Sequence, residues 1–280
     1  MTEFLVYDVF TDTPFGGNQL AVIPDAAGLA EADLQRIARE FNFSETVFIY
    51  PPERTGSLAR LRIFTPMTEV PFAGHPTIGA VIALRDLGRT GKAERITLDL
   101  GVGPLDCGVH LEGASFTTSA PLERLAEPEP ELIARALGLE IGQLKPGTPP
   151  VQATIGLPFA FVELADGAAL DACQPDVGAM REGAERYPAS LDFAILAFCR
   201  DGSRIDARMF APLDNVPEDP ATGSAAATLA LLLADGGSEE FTIRQGDAMG
   251  RPSRIAVSTR AGRATVAGNA VRTMEGRLVF

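Results

Sequence analysis

The sequence contains few cysteines and histidines, no excess of basic charge and no long apolar run. Each absence removes a class of function. No stretch approaches the roughly 18–20 uninterrupted apolar residues of a membrane-spanning helix. The amino-terminal Met1-Thr2-Glu3-Phe4 lacks the basic segment and following apolar run of a secretory signal. Cys107, Cys173 and Cys199 are odd in number and widely spaced. They make neither a disulfide framework nor a metal-ligand spacing, and each is expected to pack as a small apolar residue. Lys and Arg number 24 against 37 Asp and Glu, a formal charge of −13. That field does not draw the chain to nucleic acid or to an anionic membrane surface. An anionic substrate therefore needs local donors or helix N-termini to overcome it. The resulting expectation is a cytoplasmic protein with no nucleic-acid and no membrane partner.

What is present is an ordinary globular composition over 280 residues, 46% hydrophobic and 22% charged. The length suits one large domain or two of ordinary size. Phe4 to Phe10 reads as a buried strand and Leu20 to Pro24 as a second. A turn-rich loop, Thr13 to Gln19, lies between them. Leu34, Ile37, Ala38 and Phe41 share one helical face, and that helix ends near Asn42. Glu45 to Tyr50 is then rich in sheet-favouring types. The nearest candidate for a boundary is the Pro/Glu-rich stretch Pro121 to Pro130.

The most informative feature is an internal repeat. Residues Arg62 to Pro71 align with Arg208 to Pro217, and five of the ten positions are identical. Each copy then enters a loop of small residues and an apolar helix. In the first, Gly74-His75-Pro76-Thr77 leads into Ile78 to Leu84; in the second, Thr222-Gly223-Ser224 leads into Ala225 to Ala234. Strands Ile96 to Gly101 and Phe241 to Gly246 follow in register. Both helices are apolar nearly all round, so each must be buried on all sides. The expected architecture is two duplicated lobes, residues 1–115 and 116–280, each a curved, mostly antiparallel sheet or barrel around one central helix. The last strand is allowed to return to the first lobe.

Both buried helices begin at Gly-containing loops. A helix N-terminus offers free N–H groups and the positive end of a dipole, which suits a carboxylate or an oxyanion. The duplication is expected to turn both loops toward one cleft, with Gly74 and Gly223 supplying the close approach. The plainer reading is that the loops are only caps, since Thr77 and Ser224 are capping types. His75 stands at the mouth of the first helix, where an imidazole can donate to a substrate oxygen or shuttle a proton. It can equally be a loop histidine bonded to the backbone. His110 has no evident partner. Asp219, just before the second loop, either stabilises the helix end or orients a proton opposite His75. Glu45 begins an otherwise apolar strand, either facing solvent or buried with a raised pKa.

Taken together, Ser44-Glu45-Thr46-Val47-Phe48, Phe72 to Gly79, Glu218 to Ala225 and Gln245 to Ser253 resemble the phenazine-biosynthesis PhzF-like family. The similarity runs in order along nearly the whole chain. It implies the α+β diaminopimelate-epimerase-like fold, and it implies Glu45 as the catalytic acid/base. His75, Asp219 and Ser224 then surround the substrate, with Asn18 lining the first loop. The best-known member isomerises trans-2,3-dihydro-3-hydroxyanthranilate without metal or organic cofactor. Two departures stand out. Related epimerases and proline racemases carry a thiol at the head of each helix loop, where this chain has Ala73 and Ala221. Many family members read Gly-Asn-Pro in the first loop, where this chain reads Gly17-Asn18-Gln19.

The leading expectation is thus a cofactor-independent isomerase of a small carboxylate-bearing substrate, with Glu45 moving the proton. Burial can lift a Glu from ~4.3 toward ~6–7, where it both takes and returns a proton. The competing readings are a non-catalytic binding protein and a racemase or epimerase on the same scaffold. A homodimer is the expected assembly.

Overall fold

In the computed structural model, residues 2–118 and 120–280 are described. The chain divides into unit 1, Met1–Thr118 with Thr265–Phe280, and unit 2, Ser119–Ala264. Unit 1 opens with β1 (Thr2–Val9), β2 (Asn18–Ile23), α1 (Glu31–Phe41), β3 (Glu45–Tyr50), β4 (Ala59–Phe64) and β5 (Glu69–Val70). The buried helix α2 (Gly74–Asp86) follows, then β6 (Arg95–Leu100), β7 (Gly103–His110) and β8 (Gly113–Thr118). Unit 2 contains β9 (Glu123–Ala126), α3 (Pro130–Ala136), β10 (Val151–Thr154), β11 (Pro158–Glu163), α4 (Gly167–Asp171) and α5 (Val177–Arg186). It continues through β12 (Ile195–Asp201), β13 (Arg204–Ala211), β14 (Val216–Asp219), α6 (Gly223–Ala234), β15 (Glu240–Gln245) and β16 (Ser253–Arg260). The chain ends with β17 (Arg263–Gly268) and β18 (Ala270–Leu278).

The two units repeat one topology. In unit 1, β1 pairs antiparallel with β2, β2 parallel with β3, β3 antiparallel with β4, and β4 parallel with β6. In unit 2, β10, β11, β12, β13 and β15 repeat those four pairings with the same senses. The antiparallel ladder β6–β7 has its counterpart in β15–β16. The repeated Arg and Phe of the sequence do the same work twice. Arg62 lies over the Phe64 ring at 5.2 Å and grips Glu69 through two nitrogens at 2.8 and 2.6 Å. Arg208 lies over Phe210 at 4.9 Å and grips Glu218 at 2.9 and 2.8 Å. A planar fork on a carboxylate fixes the short strand that leads to each helix loop.

Helices α2 and α6 are apolar because they are enclosed. Every residue of α2 from Gly74 to Leu84 is buried, as is α6 from Gly223 to Leu231. α2 packs against β1, β2, β3, β7, β8 and β18, and α6 against β11, β15 and β16. Helix α1 is the amphipathic kind: Leu34, Ile37 and Ala38 are buried, and Asn42 closes it in the left-handed conformation. The Pro/Glu-rich stretch Pro121 to Pro130 is ordered chain, holding β9 and the first residue of α3. Pro130 sits where a helix tolerates proline, because that N–H has no intrahelical acceptor anyway. Among the described residues no helix is long and apolar enough to cross a membrane.

Candidate active site

The pairing of β2 with β3 is parallel, and Leu20 stands opposite Glu45. The first residues of both strands, Asn18 and Glu45, therefore lie at the same end of the sheet. Helix α2 starts there too, which brings His75 to them. His75 Nδ1 is 3.5 Å from Glu45 Oε2 and 3.3 Å from the Asn18 side-chain amide nitrogen. The Ser44 hydroxyl donates to Asn18 Oδ1 at 3.2 Å. The Glu45 side chain is 19% exposed, so it is partly withdrawn from water yet reachable, whereas that of His75 is 4% exposed. Nε2 of His75 is buried without a hydrogen-bond partner among the described residues.

Electrostatics at this point follow from burial and from the helix end. Desolvation pushes the His75 pKa down to about 3, offset only in part by a hydrogen bond to the Gln19 backbone. The ring is neutral near pH 7. The N-cap of α2 is Ala73, which has no side chain to cap with, and the first turn holds no acidic residue. The hydroxyl of Thr77, a capping type by sequence, instead donates back to the Ala73 carbonyl at 2.8 Å. The positive end of the α2 dipole thus carries no side-chain cap, with Gly74 and His75 as its first N–H groups and Pro76 contributing none.

Unit 2 holds a second cluster. Asp219 ends β14 and is buried. The Thr222 hydroxyl donates to its Oδ2 at 2.5 Å. Gln245 Nε2 donates to the Asp219 carbonyl at 2.6 Å and to Thr222 Oγ1 at 3.0 Å. Gln245 Oε1 accepts from the Thr222 N–H at 3.3 Å. Since Gln245 occupies the Thr222 oxygen as an acceptor, the hydroxyl proton is committed to Asp219. Ser253 donates to the carbonyls of Pro220 and Gln245 at 2.7 and 3.0 Å. Gly246 has φ +81°, and a Cβ there would meet the Arg251 and Pro220 carbonyls at 2.3 and 2.8 Å. The stretch from Gln245 to Ser253 therefore builds the turn that carries Asp219. Gly223 and Ser224 are the first two residues of α6, whose N-cap is Thr222, again without a capping side-chain bond. Ser224, the other capping type, lies inside the helix.

The sequence missed Ser44 and Thr222 as partners of the site, and Gln245 and Ser253 as its supports. The signal for the last two was present in the Gln245-to-Ser253 match, but a linear motif does not say which turn it props. The cysteines lie elsewhere. Burial pushes the Cys107 thiol up to about 12 and the Cys173 thiol up to about 11. Their sulfurs donate to the backbone carbonyls of Leu105 and Ala169.

A family model described as phenazine biosynthesis-like protein matches residues 7–276. A trans-2,3-dihydro-3-hydroxyanthranilate isomerase of Pseudomonas aeruginosa is 36% identical, with 99% of each chain covered. An uncharacterized isomerase of Mesorhizobium japonicum is 37% identical over 99% of this chain and 98% of its own. Among solved structures, a predicted epimerase from Pseudomonas aeruginosa aligns with a TM-score of 0.82 at 28% identity, covering 100% of both chains. A probable proline racemase from Agrobacterium radiobacter shares the fold, with a TM-score of 0.67 at 14% identity over 100% of this chain and 93% of that one. With its repeated two-unit topology and a match over nearly its whole length, the chain belongs to the phenazine biosynthesis-like family of isomerases.

Proposed function

We propose that Glu45 is the acid and base of a cofactor-independent isomerisation of a small, conjugated, carboxylate-bearing substrate. The observation that carries this reading is a partly withdrawn carboxylate beside a neutral, buried imidazole at an uncapped helix start. Glu45 takes a proton alpha or vinylogous to the substrate carboxylate. The electron pair left on carbon delocalises onto oxygen, where the first N–H groups of α2 meet the developing charge. Protonated Glu45 then returns the proton to a different carbon, so atoms and charge balance with no co-reactant. Within unit 2, Asp219 is proposed as a further catalytic residue and Gly223 and Ser224 as substrate-binding residues. The Pseudomonas relatives supply trans-2,3-dihydro-3-hydroxyanthranilate as the compound to try first, with Gln19 in place of the usual proline as the reason to try others.

Glu45→Gln keeps the shape and removes the base. Turnover is expected to fall by roughly 10²–10⁴-fold with substrate binding largely retained. Replacing Cys107, Cys173 and Cys199 together by Ala is expected to leave turnover near wild type. Survival of activity in Glu45→Gln, with loss in the cysteine variant, would replace this mechanism by a thiol-based racemisation. A non-catalytic binding protein is separated by solvent exchange: the enzyme washes deuterium from water into its substrate, and a binder does not.

We further propose a cytoplasmic homodimer, the commonest closed assembly. Sedimentation is expected to give twice the chain mass. A species at 29.6 kDa that does not change with concentration counts against it.

A further inference from the structure

Among the described residues, the aromatic side chains that stand on left-handed backbone are Phe10, Phe15 and Phe193, at φ +65°, +69° and +57°. A Cβ is crowded in that region, and a bulky residue stays there only where something offsets the strain. For Phe10 and Phe193 the offset is visible, because both are fully buried. The Phe10 N–H also donates to the Asn269 carbonyl at 2.7 Å. Phe15 carries the same strain and is 71% exposed. Its turn is built to hold it. The Gly16 N–H closes on the Thr13 carbonyl at 3.2 Å, with Pro14 and Phe15 between them. Proline fixes a negative φ at the first central position and the second is positive, the type II arrangement, in which glycine usually takes the place of Phe15. The Phe15 N–H donates to the carboxylate of the buried Asp8 at 2.7 Å. The same loop runs on into Asn18, whose amide meets His75 at 3.3 Å. Phe15 is therefore displayed at the end of the sheet where β2, β3 and α2 begin.

We propose that Phe15 is a specificity-determining residue: its ring is one wall of the place beside Glu45, and a flat unsaturated acid bound there covers it. Burial within the chain does not offset the strain at Phe15, so the offset comes from what the chain binds. A planar π face stacks on the ring with an offset geometry that a puckered saturated ring does not match, so the wall selects for flatness. Glycine would make the turn more stable and leave the wall out; phenylalanine gives up some stability of the fold for selectivity. Resting on the site proposed at Glu45, this role goes beyond it, because the proton transfer itself needs no aromatic wall.

The chain has no tryptophan, so Phe15→Trp gives the full-length protein a single indole whose fluorescence reports what covers this position. Acrylamide is a neutral quencher, which the formal charge of −13 does not repel. The indole is expected to be readily quenched in the free protein and clearly less so with saturating benzoate. By calorimetry, benzoate is expected to bind Phe15→Gly roughly 2–10-fold less tightly than wild type, the value of one aromatic pair, while cyclohexanecarboxylate loses little. Phe15→Gly is also expected to melt about 2–4 °C above Phe15→Ala, since only glycine removes the crowded Cβ. Equal melting of these two variants overturns the strain. An equal loss of affinity for both acids overturns the preference for a flat face. An indole as open to acrylamide with benzoate as without it, failure of benzoate to bind included, overturns the wall. Shielding that needs no benzoate and disappears on dilution also overturns it, and assigns the ring to a contact between copies of the chain. An active Glu45→Gln enzyme sinks the proposed mechanism but leaves the shielding by benzoate standing, so the two failures are told apart.

Discussion

His75 connects burial, charge state and reactivity in one residue. Its ordinary pKa of 6.5 falls to about 3 because the ring is removed from water. The unfolded chain therefore binds a proton there at pH values where the folded chain does not. Stability from this residue is fully present above pH 6.5 and is lost as pH falls from 6.5 toward 3, at about 1.4 kcal/mol per pH unit. Urea unfolding at several pH values within that window, on wild type and His75→Gln, measures it. The wild-type curve is expected to be steeper in pH by about one proton. Parallel curves would show that His75 is not the buried neutral group described here. Much of this chemistry is not legible in the sequence. His75 stands out as a candidate because so few histidines are present, but a sequence pattern does not report that a ring nitrogen lacks a partner. Glu45 is reached only through a motif match. Its alternatives, facing solvent or buried, are decided by which end of β3 meets α2, and that is a property of strand pairing.

At the scale of elements, the site depends on the contact between α2 and β2. Gly79 lies in the middle of α2, where glycine is ordinarily the poorer choice by about 1 kcal/mol relative to alanine. The space a side chain would take there is filled by side chains of β1 and β2. A Cβ at Gly79 would lie 2.3 Å from Leu20 Cδ2 and 3.0 Å from Val9 Cγ2. Leu20 stands in register with Glu45, so a shift of β2 that relieved the clash would reach the head of β3. Gly79→Ala is accordingly expected to lower the melting temperature despite the gain in helix propensity, because overpacking a core costs about 1–3 kcal/mol. It is also expected to reduce kcat more than it changes KM. A stabilised variant with normal kcat would mean that the contact is slack. The sequence announces α2 and α6 clearly, since a helix with no polar face has to be enclosed. Helices α3, α4 and α5 leave no comparable signal. The start of α3, Glu129-Pro130, lies in a Pro/Glu-rich setting that reads as a candidate domain boundary, and α4 spans only Gly167–Asp171.

At the scale of the whole molecule, the chain closes unit 1 with its own end. β18 runs antiparallel along the full length of β1, from Thr2 opposite Leu278 to Val9 opposite Ala270. In unit 2 the matching place beside β10 is taken by β9, which precedes β10 in sequence. The duplication is thus regular in its strands and exchanged in its edges, a property no alignment of the two copies reveals, because β9 and β18 occupy different places in the order of their units. The repeat is legible from Arg62 to Pro71 and Arg208 to Pro217; the edge exchange is not, since strand partners far apart in sequence leave no local pattern. It has a measurable consequence. β1 carries Leu5, Val6, Tyr7 and Val9 in the core, and without β18 its outer edge presents a row of unpaired backbone groups. A chain ending at residue 268 is expected to aggregate or to lose cooperative unfolding. A chain lacking only Val279 and Phe280, which are 81% and 78% exposed, is expected to keep the wild-type melting temperature within about 1 °C, as surface changes generally do. Calorimetry on the two truncations separates the cases. If the longer deletion melts like wild type, β18 is an ornament and the closure of unit 1 lies elsewhere. If the shorter one is also destabilised, the terminal residues carry contacts that their exposure does not suggest.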